Sequence, residues 1–104
     1  MVHYTYAIKE VDSVKTVIFE GDIDHEGSPE LETLLNSLIN SDTEKLAADF
    51  TNIDFLPSIC FGVLLASGEM AKERGVELIV KMRPHHAALA RGIGMEQIIT
   101  VITN

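Results

Sequence analysis

The sequence offers little material for covalent cross-links or metal sites. Only one of its 104 residues, Cys60, is a cysteine. A single thiol excludes a disulfide within the chain, and no set of cysteines and histidines has the spacing of a zinc site. We therefore predict a reducing compartment and neither a metal ion nor another cofactor.

Basic residues are scarce as well. Eight lysines and arginines stand against sixteen acidic residues, which gives a formal net charge of −8. This charge opposes binding to phosphate backbones and anionic lipids, so nucleic acid is not a predicted partner. No apolar run is long enough to cross a bilayer, and residues 1–4 show strand-like alternation instead of a signal peptide. The sequence predicts a cytoplasmic protein without membrane insertion.

Arrangements typical of catalysis are missing too. The sequence suggests no Ser/His/Asp arrangement and no pair of carboxylates in an evident cleft, so we predict that the chain is not an enzyme. His85 and His86 are adjacent, point about 100° apart on a helix and have no evident third ligand. We predict that both histidines are surface residues.

What the chain does contain is a regular alternation of hydrophobic periods over one domain, residues 1–104, with 46% hydrophobic residues. The element order ββαβαβαβ indicates an α/β fold in which helices cover a mixed sheet. The predicted strands are a hairpin of residues 4–9 and 14–19 around Asp12-Ser13, followed by strands at 45–50, 76–82 and 98–102. The first predicted helix is capped by Ser28 and ends at Ile39. The second covers 58–74 and is ended by Gly75, and the third runs from Pro84 to Gly92 or Gly94.

The most informative position is Ser58, where an extended segment passes into a helix. A hydroxyl group at a helix N-terminus lies among free backbone N–H groups, so it can cap the helix or carry a phosphate group. The residues alone leave both roles open.

The helix that begins at Ser58 has two different sides. At about 100° per residue, Ser58 shares one side with Glu69 and Glu73, which marks that side as the solvent face. Cys60 lies on the opposite side and is predicted to be a small core residue. Apolar residues that are partly exposed on a solvent face often dock a partner protein. The predicted docking patch contains Phe61, Gly62 and Leu65 beside Ser58.

Three segments resemble the STAS domain, a family best known from bacterial anti-sigma-factor antagonists. Residues 55–64, Phe-Leu-Pro-Ser-Ile-Cys-Phe-Gly-Val-Leu, resemble the family's Phe-Met-Asp-Ser-Ser-Gly-Leu-Gly-Val-Leu signature. Residues 19–24 are similar to its Gly-Glu-Leu-Asp segment after the second strand, and residues 73–78 are similar to its Glu-Arg-Gly-Gly-Xaa-Leu turn. The resemblance spans essentially the whole chain and implies a STAS-type mixed sheet with helices in a single domain.

The resemblance also implies a role for Ser58. This residue stands in the position of the serine that a partner kinase, often the anti-sigma factor itself, phosphorylates and a serine phosphatase dephosphorylates. Asp22 and Asp24 follow the second strand, where the family places an acidic residue near that serine, so they are either partner contacts or a solvated turn. Pro57 replaces the signature's aspartate, which removes a carboxylate and a backbone N–H that a kinase could recognise.

The sequence therefore predicts a non-catalytic partner-switching regulator that binds an anti-sigma factor or serine kinase and is controlled by phosphorylation at Ser58. Ile59 and Cys60, which replace a hydroxyl residue and a glycine of the signature, favour an alternative, a STAS adaptor or sensor that is never phosphorylated. A second alternative is an accessory subunit of a lipid-transport ATPase, and self-association stays open. The predicted partner-binding residues are Asp22, Asp24, Pro57, Ser58, Phe61, Gly62 and Leu65.

Overall fold

The chain folds in the predicted order of two strands followed by three helix–strand units. The structure, a computed structural model, describes residues 4–39 and 43–103. A short 3₁₀ helix, Met95–Gln97, was not predicted. The elements are β1 Tyr4–Val11, β2 Val14–Gly21, α1 Ser28–Ile39, β3 Lys45–Ile53, α2 Ser58–Glu73, β4 Glu77–Met82, α3 Pro84–Gly92 and β5 Thr100–Thr103.

The strands form one mixed sheet in the order β1-β2-β3-β4-β5. β1 is antiparallel to β2, and β2 to β5 run parallel to one another. Asp12 and Ser13 connect β1 to β2 with φ angles of 52° and 67°. A two-residue type I′ turn needs a positive φ at both positions, so the predicted hairpin is confirmed.

The core lies on one face of the sheet. In β3, Leu46, Ala48 and Phe50 are buried, whereas the residues between them are only half-buried. The rings of Phe19 and Phe50 stack with centroids 4.7 Å apart and planes 6° apart. Buried side chains of all three helices join the same core cluster. The prediction of an α/β fold in which helices cover a mixed sheet is therefore confirmed.

α2 packs closely against the segment that precedes β5. A Cβ atom added to Gly68 would lie 2.5 Å from Cγ1 of Ile99, closer than carbon atoms approach in proteins, and 3.0 Å from Cγ2 of Ile98, which is a tight contact. A Cβ atom added to Gly62, six residues earlier on the same helix, would meet nothing within 4 Å. At the end of α2, Gly75 has a φ of 71°, the left-handed conformation that was predicted to stop this helix.

The start of α1 differs from its prediction. The hydroxyl of Ser28 donates a hydrogen bond to the carbonyl of His25 at 2.8 Å instead of capping the helix. The carbonyl of Gly27 accepts the N–H of Leu31 at 3.1 Å, so the helical hydrogen bonds begin one residue before Ser28. The carboxylate of Asp24 accepts the N–H of Gly27 at 2.9 Å, and this bond orders the loop that leads into α1.

The prediction that both histidines of α3 are surface residues is wrong for His86. His85 is exposed, but only 4% of His86 is exposed, and its Nδ1 finds no hydrogen-bond partner among the described residues. Burial, with smaller contributions from His85 and Arg83, lowers the pKa of His86. The buried stripe of α3 also contains Ala87 and Ala90, because this helix packs against the 3₁₀ helix and β5.

The two glycines of α2 allow a paired test of this packing. We expect Gly68→Ala to lower the free energy of unfolding by about 1–2 kcal/mol, because overpacking outweighs the gain in helix propensity. Gly62→Ala should raise it by about 0.5–1 kcal/mol, because the added methyl group meets nothing in the protein. Urea denaturation followed by circular dichroism measures both changes. A Gly68→Ala variant as stable as Gly62→Ala would contradict the close approach of Ile99.

Candidate functional site

The site is built around the joint between β3 and α2. Pro57 is the N-cap residue of α2, with an extended backbone (φ −69°, ψ 157°). Its ring carries no hydrogen-bond acceptor, and no side chain caps the helix. The carbonyl of Pro57 accepts the N–H of Cys60 at 2.9 Å. The N–H groups of Ser58 and Ile59 therefore remain at the positive end of the helix without a side-chain cap.

Ser58 is the first residue of α2, and its side chain is exposed. No hydrogen bond joins its hydroxyl group to another residue within 4–39 and 43–103. The capping role that the sequence left open for Ser58 is therefore wrong, because Pro57 occupies the cap position. What remains is a free hydroxyl group at a helix N-terminus, where a phosphate group is electrostatically favoured.

Arg83 holds the joint in place from the start of α3. Its Nε donates a hydrogen bond to the carbonyl of Thr51 at 2.8 Å, and its Nη1 pairs with the carboxylate of Asp54 at 2.7 Å. The Asp54 side chain is 81% exposed, so this ion pair contributes about 1 kcal/mol or less. The charged bond to the Thr51 carbonyl is half-buried and is worth about 1.5–3 kcal/mol. This bond ties the end of β3, and with it the Ser58 loop, to α3.

Two grooves flank the first turn of α2. The α2–α3 groove has a volume of about 420 Å³, and the α1–α2 groove has a volume of about 350 Å³. Gly62 lines both grooves and forms the low ridge between them. The α2–α3 groove is lined by Leu56, Ser58, Phe61, Gly62, Leu65, Leu89 and Ile93, and the α1–α2 groove is lined by Ser28, Pro29, Glu32, Ile59, Gly62 and Val63.

Some of the predicted partner residues are accessible, and others are not. Ser58 and Gly62 are exposed, and Leu65 is half-buried, as predicted. The prediction that Phe61 is partly exposed is wrong, because only 6% of it is accessible. Pro57 is also buried. Phe61 lines the wall of the α2–α3 groove together with Leu56. Its burial depends on neighbouring elements, which the period of a single helix cannot reveal.

The exposed apolar side chains around the site include residues that the sequence analysis did not predict. Four large residues are between 44% and 62% exposed, namely Phe55, Ile59, Leu89 and Ile93. The exposure of Leu89 and Ile93 could have been predicted from the sequence. Leu89 and Ile93 are four residues apart, on the side of α3 away from the buried stripe of small residues. An alanine-rich helix with large apolar residues on its outer side indicates a docking face.

The acidic loop after β2 lies close to the first turn of α2. Asp22 is exposed and Asp24 is half-buried. The carboxylate charge of Asp24 is one of two causes that raise the pKa of Cys60. Asp24 is therefore near the buried side of the first turn of α2, and the role of Asp22 and Asp24 as partner contacts stays a prediction. Asp24 also accepts the Gly27 N–H, so it has a structural role in the turn.

Cys60 is fully buried, which confirms the prediction of a core residue. Burial, and to a lesser degree the charge of Asp24, raises the pKa of its thiol to about 11. This outweighs the lowering effect of a helix N-terminus. Because the thiolate is the reactive form, Cys60 is inert near neutral pH.

Residues 4–39 and 43–103 contain no group of three or more histidine, cysteine, aspartate or glutamate side chains that could hold a metal ion. Over the same residues, no helix combines the length and apolar character needed to span a bilayer.

The burial of Cys60 can be checked by thiol labelling. We expect a disulfide reagent at pH 8 to modify the native protein at least ~10²-fold more slowly than the protein in denaturant, because both access and the thiolate fraction are low. Ile59→Cys in a Cys60→Ala background is the control, since Ile59 is the exposed neighbour on the same turn. Native labelling of Cys60 as fast as that of the control would contradict the structure.

Comparison with known proteins points to one family. The family model for the STAS domain matches residues 5–104. No curated protein sequence matches the chain significantly. Among solved structures, an anti-sigma factor antagonist from Mycobacterium paratuberculosis superposes with a TM-score of 0.81 at 22% identity, over 95% of this chain and 85% of that one. The unphosphorylated form of the anti-sigma factor antagonist SpoIIAA superposes with a TM-score of 0.75 at 14% identity, over 96% of this chain and 90% of that one. The phosphorylated form of SpoIIAA, from Bacillus, superposes with a TM-score of 0.72 at 14% identity, over 96% of this chain and 93% of that one.

Proposed function

The chain belongs to the STAS domain family, and on that premise we propose that it is a non-catalytic partner-switching protein controlled at Ser58. The observation that carries the proposal is the exposed Ser58 hydroxyl group, which stands at an uncapped helix N-terminus between two grooves. The names of the structural neighbours support an anti-sigma factor as the partner. SpoIIAA exists in a phosphorylated form, which supports a serine kinase as the partner that modifies Ser58.

The unphosphorylated surface would bind the partner through apolar contacts. Leu89 and Ile93 are more than half exposed beside the α2–α3 groove, and their burial would contribute about 25 cal/mol per Å² of apolar surface. Gly62 carries no side chain at the ridge between the grooves, so a partner backbone can approach α2 closely there. The exposed Asp22 and the net charge of −8 suit a partner with basic residues at the rim of its interface.

Phosphorylation at Ser58 would separate the stability of the fold from the stability of the complex. The phosphate group adds about −1.5 to −2 charges and three acceptor oxygens. Inside the protein it faces the uncapped N–H groups of the first helical turn, which favour an anion. Toward a partner it presents a strongly hydrated group between apolar grooves, and its desolvation opposes docking. The protein would stay folded and release its partner until a serine phosphatase removes the phosphate group.

The joint is more apolar than the family signature. Pro57 offers no carboxylate, and Ile59 is 44% exposed where the signature has a hydroxyl residue. A kinase that modifies Ser58 would therefore recognise an apolar face beside the serine. The same replacements favour the second candidate function, a STAS adaptor that binds a partner constitutively.

Phosphorylation is tested directly by incubating the protein with a purified anti-sigma factor kinase and ATP. We expect one phosphate group by intact mass, located at Ser58 by peptide mapping and lost in Ser58→Ala. Pro57→Asp, which returns the acidic side chain of the signature, should increase the initial rate. No phosphate under conditions that modify a standard antagonist would support the adaptor instead.

The consequence for binding is tested with the same partner and two variants. Ser58→Asp should weaken binding at least ~10-fold, whereas Ser58→Ala should bind like the wild type. Because the Ser58 hydroxyl forms no hydrogen bond within the described part of the chain, both variants should unfold within about 0.5 kcal/mol of the wild type. Equal affinity of both variants would exclude control by charge at this position.

The α2–α3 groove is tested independently of phosphorylation. Leu89→Asp should weaken partner binding at least ~10-fold, because it places a charge on the rim of the groove. Ile102→Asp is the matched control, since Ile102 is 43% exposed on β5 and lines neither groove. Isothermal titration calorimetry measures both affinities. Unchanged binding by Leu89→Asp would place the docking surface elsewhere.

A further inference from the structure

β1 is an edge strand with an open outer side. It is eight residues long and, among the strands of residues 4–39 and 43–103, pairs only with β2, residue for residue and without a bulge. It contains no proline, and Tyr6 and Ile8 are 50% and 46% exposed although they lie on the face of the sheet that the helices cover. Proteins normally protect such an edge by shortening or interrupting it, as in β5 with its four residues. We infer that β1 pairs with β1 of a second copy of this chain.

The hairpin determines which backbone groups of β1 are available. Val11 and Val14 are the outer residues of the two-residue turn, so their backbone groups bond to each other. Hydrogen-bonded and non-hydrogen-bonded pairs alternate along an antiparallel ladder. The N–H and C=O groups that point away from β2 consequently belong to Tyr4, Tyr6, Ile8 and Glu10.

These free groups select one register for two antiparallel copies. Both copies keep their helices on one face of a continuous sheet only if these four residues pair with one another. The register centred on Ala7 pairs all four of them. Tyr6 pairs with Ile8 of the second copy and Tyr4 pairs with its Glu10, and the two-fold axis repeats each pair. A register centred on Ile8 leaves Tyr4 without a partner, so it forms fewer hydrogen bonds.

The side chains agree with the same register. The half-exposed Tyr6 and Ile8 cover each other across the two-fold axis, an aromatic and β-branched pair of the kind that stabilises sheets. Lys9 lies opposite Thr5 of the second copy, so no like charges face each other. A groove of about 580 Å³ between β1 and α1, lined in part by Tyr6 and Leu34, opens on this edge, and Ile8 of the second copy extends its apolar wall.

The overall charge opposes this association at long range. Each copy carries a formal charge of −8, and salt screens the repulsion between two copies. The dimer should therefore form more readily at high than at low ionic strength. None of the residues that line the α2–α3 groove lies in β1, so a dimer presents that groove twice.

Cysteine cross-linking tests the register. Ala7 is exposed and faces itself across the two-fold axis in a non-hydrogen-bonded pair, where Cα atoms are about 4.5 Å apart, within disulfide range. We expect Ala7→Cys to form a covalent dimer under mild oxidation at high salt at least ~10-fold faster than Lys9→Cys. The two copies of residue 9 are offset by four positions, roughly 13 Å, which is too far for a disulfide. The buried Cys60 of the wild type provides the blank.

Sedimentation velocity over a range of concentrations tests the dimer itself. Ile8→Lys should raise the dissociation constant of the dimer at least ~10-fold, whereas Ile102→Lys, the same change on the opposite edge strand, should leave it unchanged. A wild-type protein that stays monomeric at high salt and high concentration would overturn the inference. So would equal cross-linking rates at positions 7 and 9, or a dimer that Ile102→Lys dissociates and Ile8→Lys does not.

Discussion

The close contact between α2 and the segment before β5 determines the geometry of the site. Gly68 brings the helix backbone so near to Ile99 that no side chain fits between them. This contact holds the helix close to the segment before β5, while its first two turns join the core through the fully buried Cys60 and Leu64. Ser58 is exposed at the start of this packed helix. A hydroxyl group on a packed element would be presented in the same orientation to any partner.

A second constraint acts through the backbone around the joint. Arg83 bonds to Thr51 at the end of β3 and to Asp54 just after it, so the start of α3 is connected to the loop that carries Ser58. The uncapped N-terminus of α2 provides a partial positive charge that favours an anion at Ser58. Under the proposed function, a phosphate group at Ser58 would be favoured by the helix N-terminus and disfavoured by an apolar partner surface. One small group would then have opposite effects on folding and on binding.

The sequence predicted the order of elements because turn residues mark most of the boundaries. The backbone has a positive φ at the turn residues Asp12 and Ser13 and at Gly75, which ends α2. Pro84 stands at the first position of α3. Burial was less predictable, because it depends on which elements pack together. Phe61 has the period of an exposed residue but lies in the wall of the α2–α3 groove, and His86 is buried because α3 packs against the 3₁₀ helix and β5. The predictions that Ser28 and Ser58 cap their helices were wrong because the preceding residue occupies each cap position. Before Ser28 this residue is Gly27, whose N–H bonds to Asp24, and before Ser58 it is Pro57, whose backbone is extended.

The two tyrosines of the chain have an optical consequence. Both lie in β1, beside the groove against α1, and the sequence contains no tryptophan. The ring of Tyr4 lies 5.9 Å from that of Phe19, and its hydroxyl group donates to the carbonyl of Gly27. The tyrosine fluorescence of the protein therefore originates from one margin of the sheet. A chromophore placed near Ser58 would give an independent signal, so events at the two locations can be followed separately in one sample.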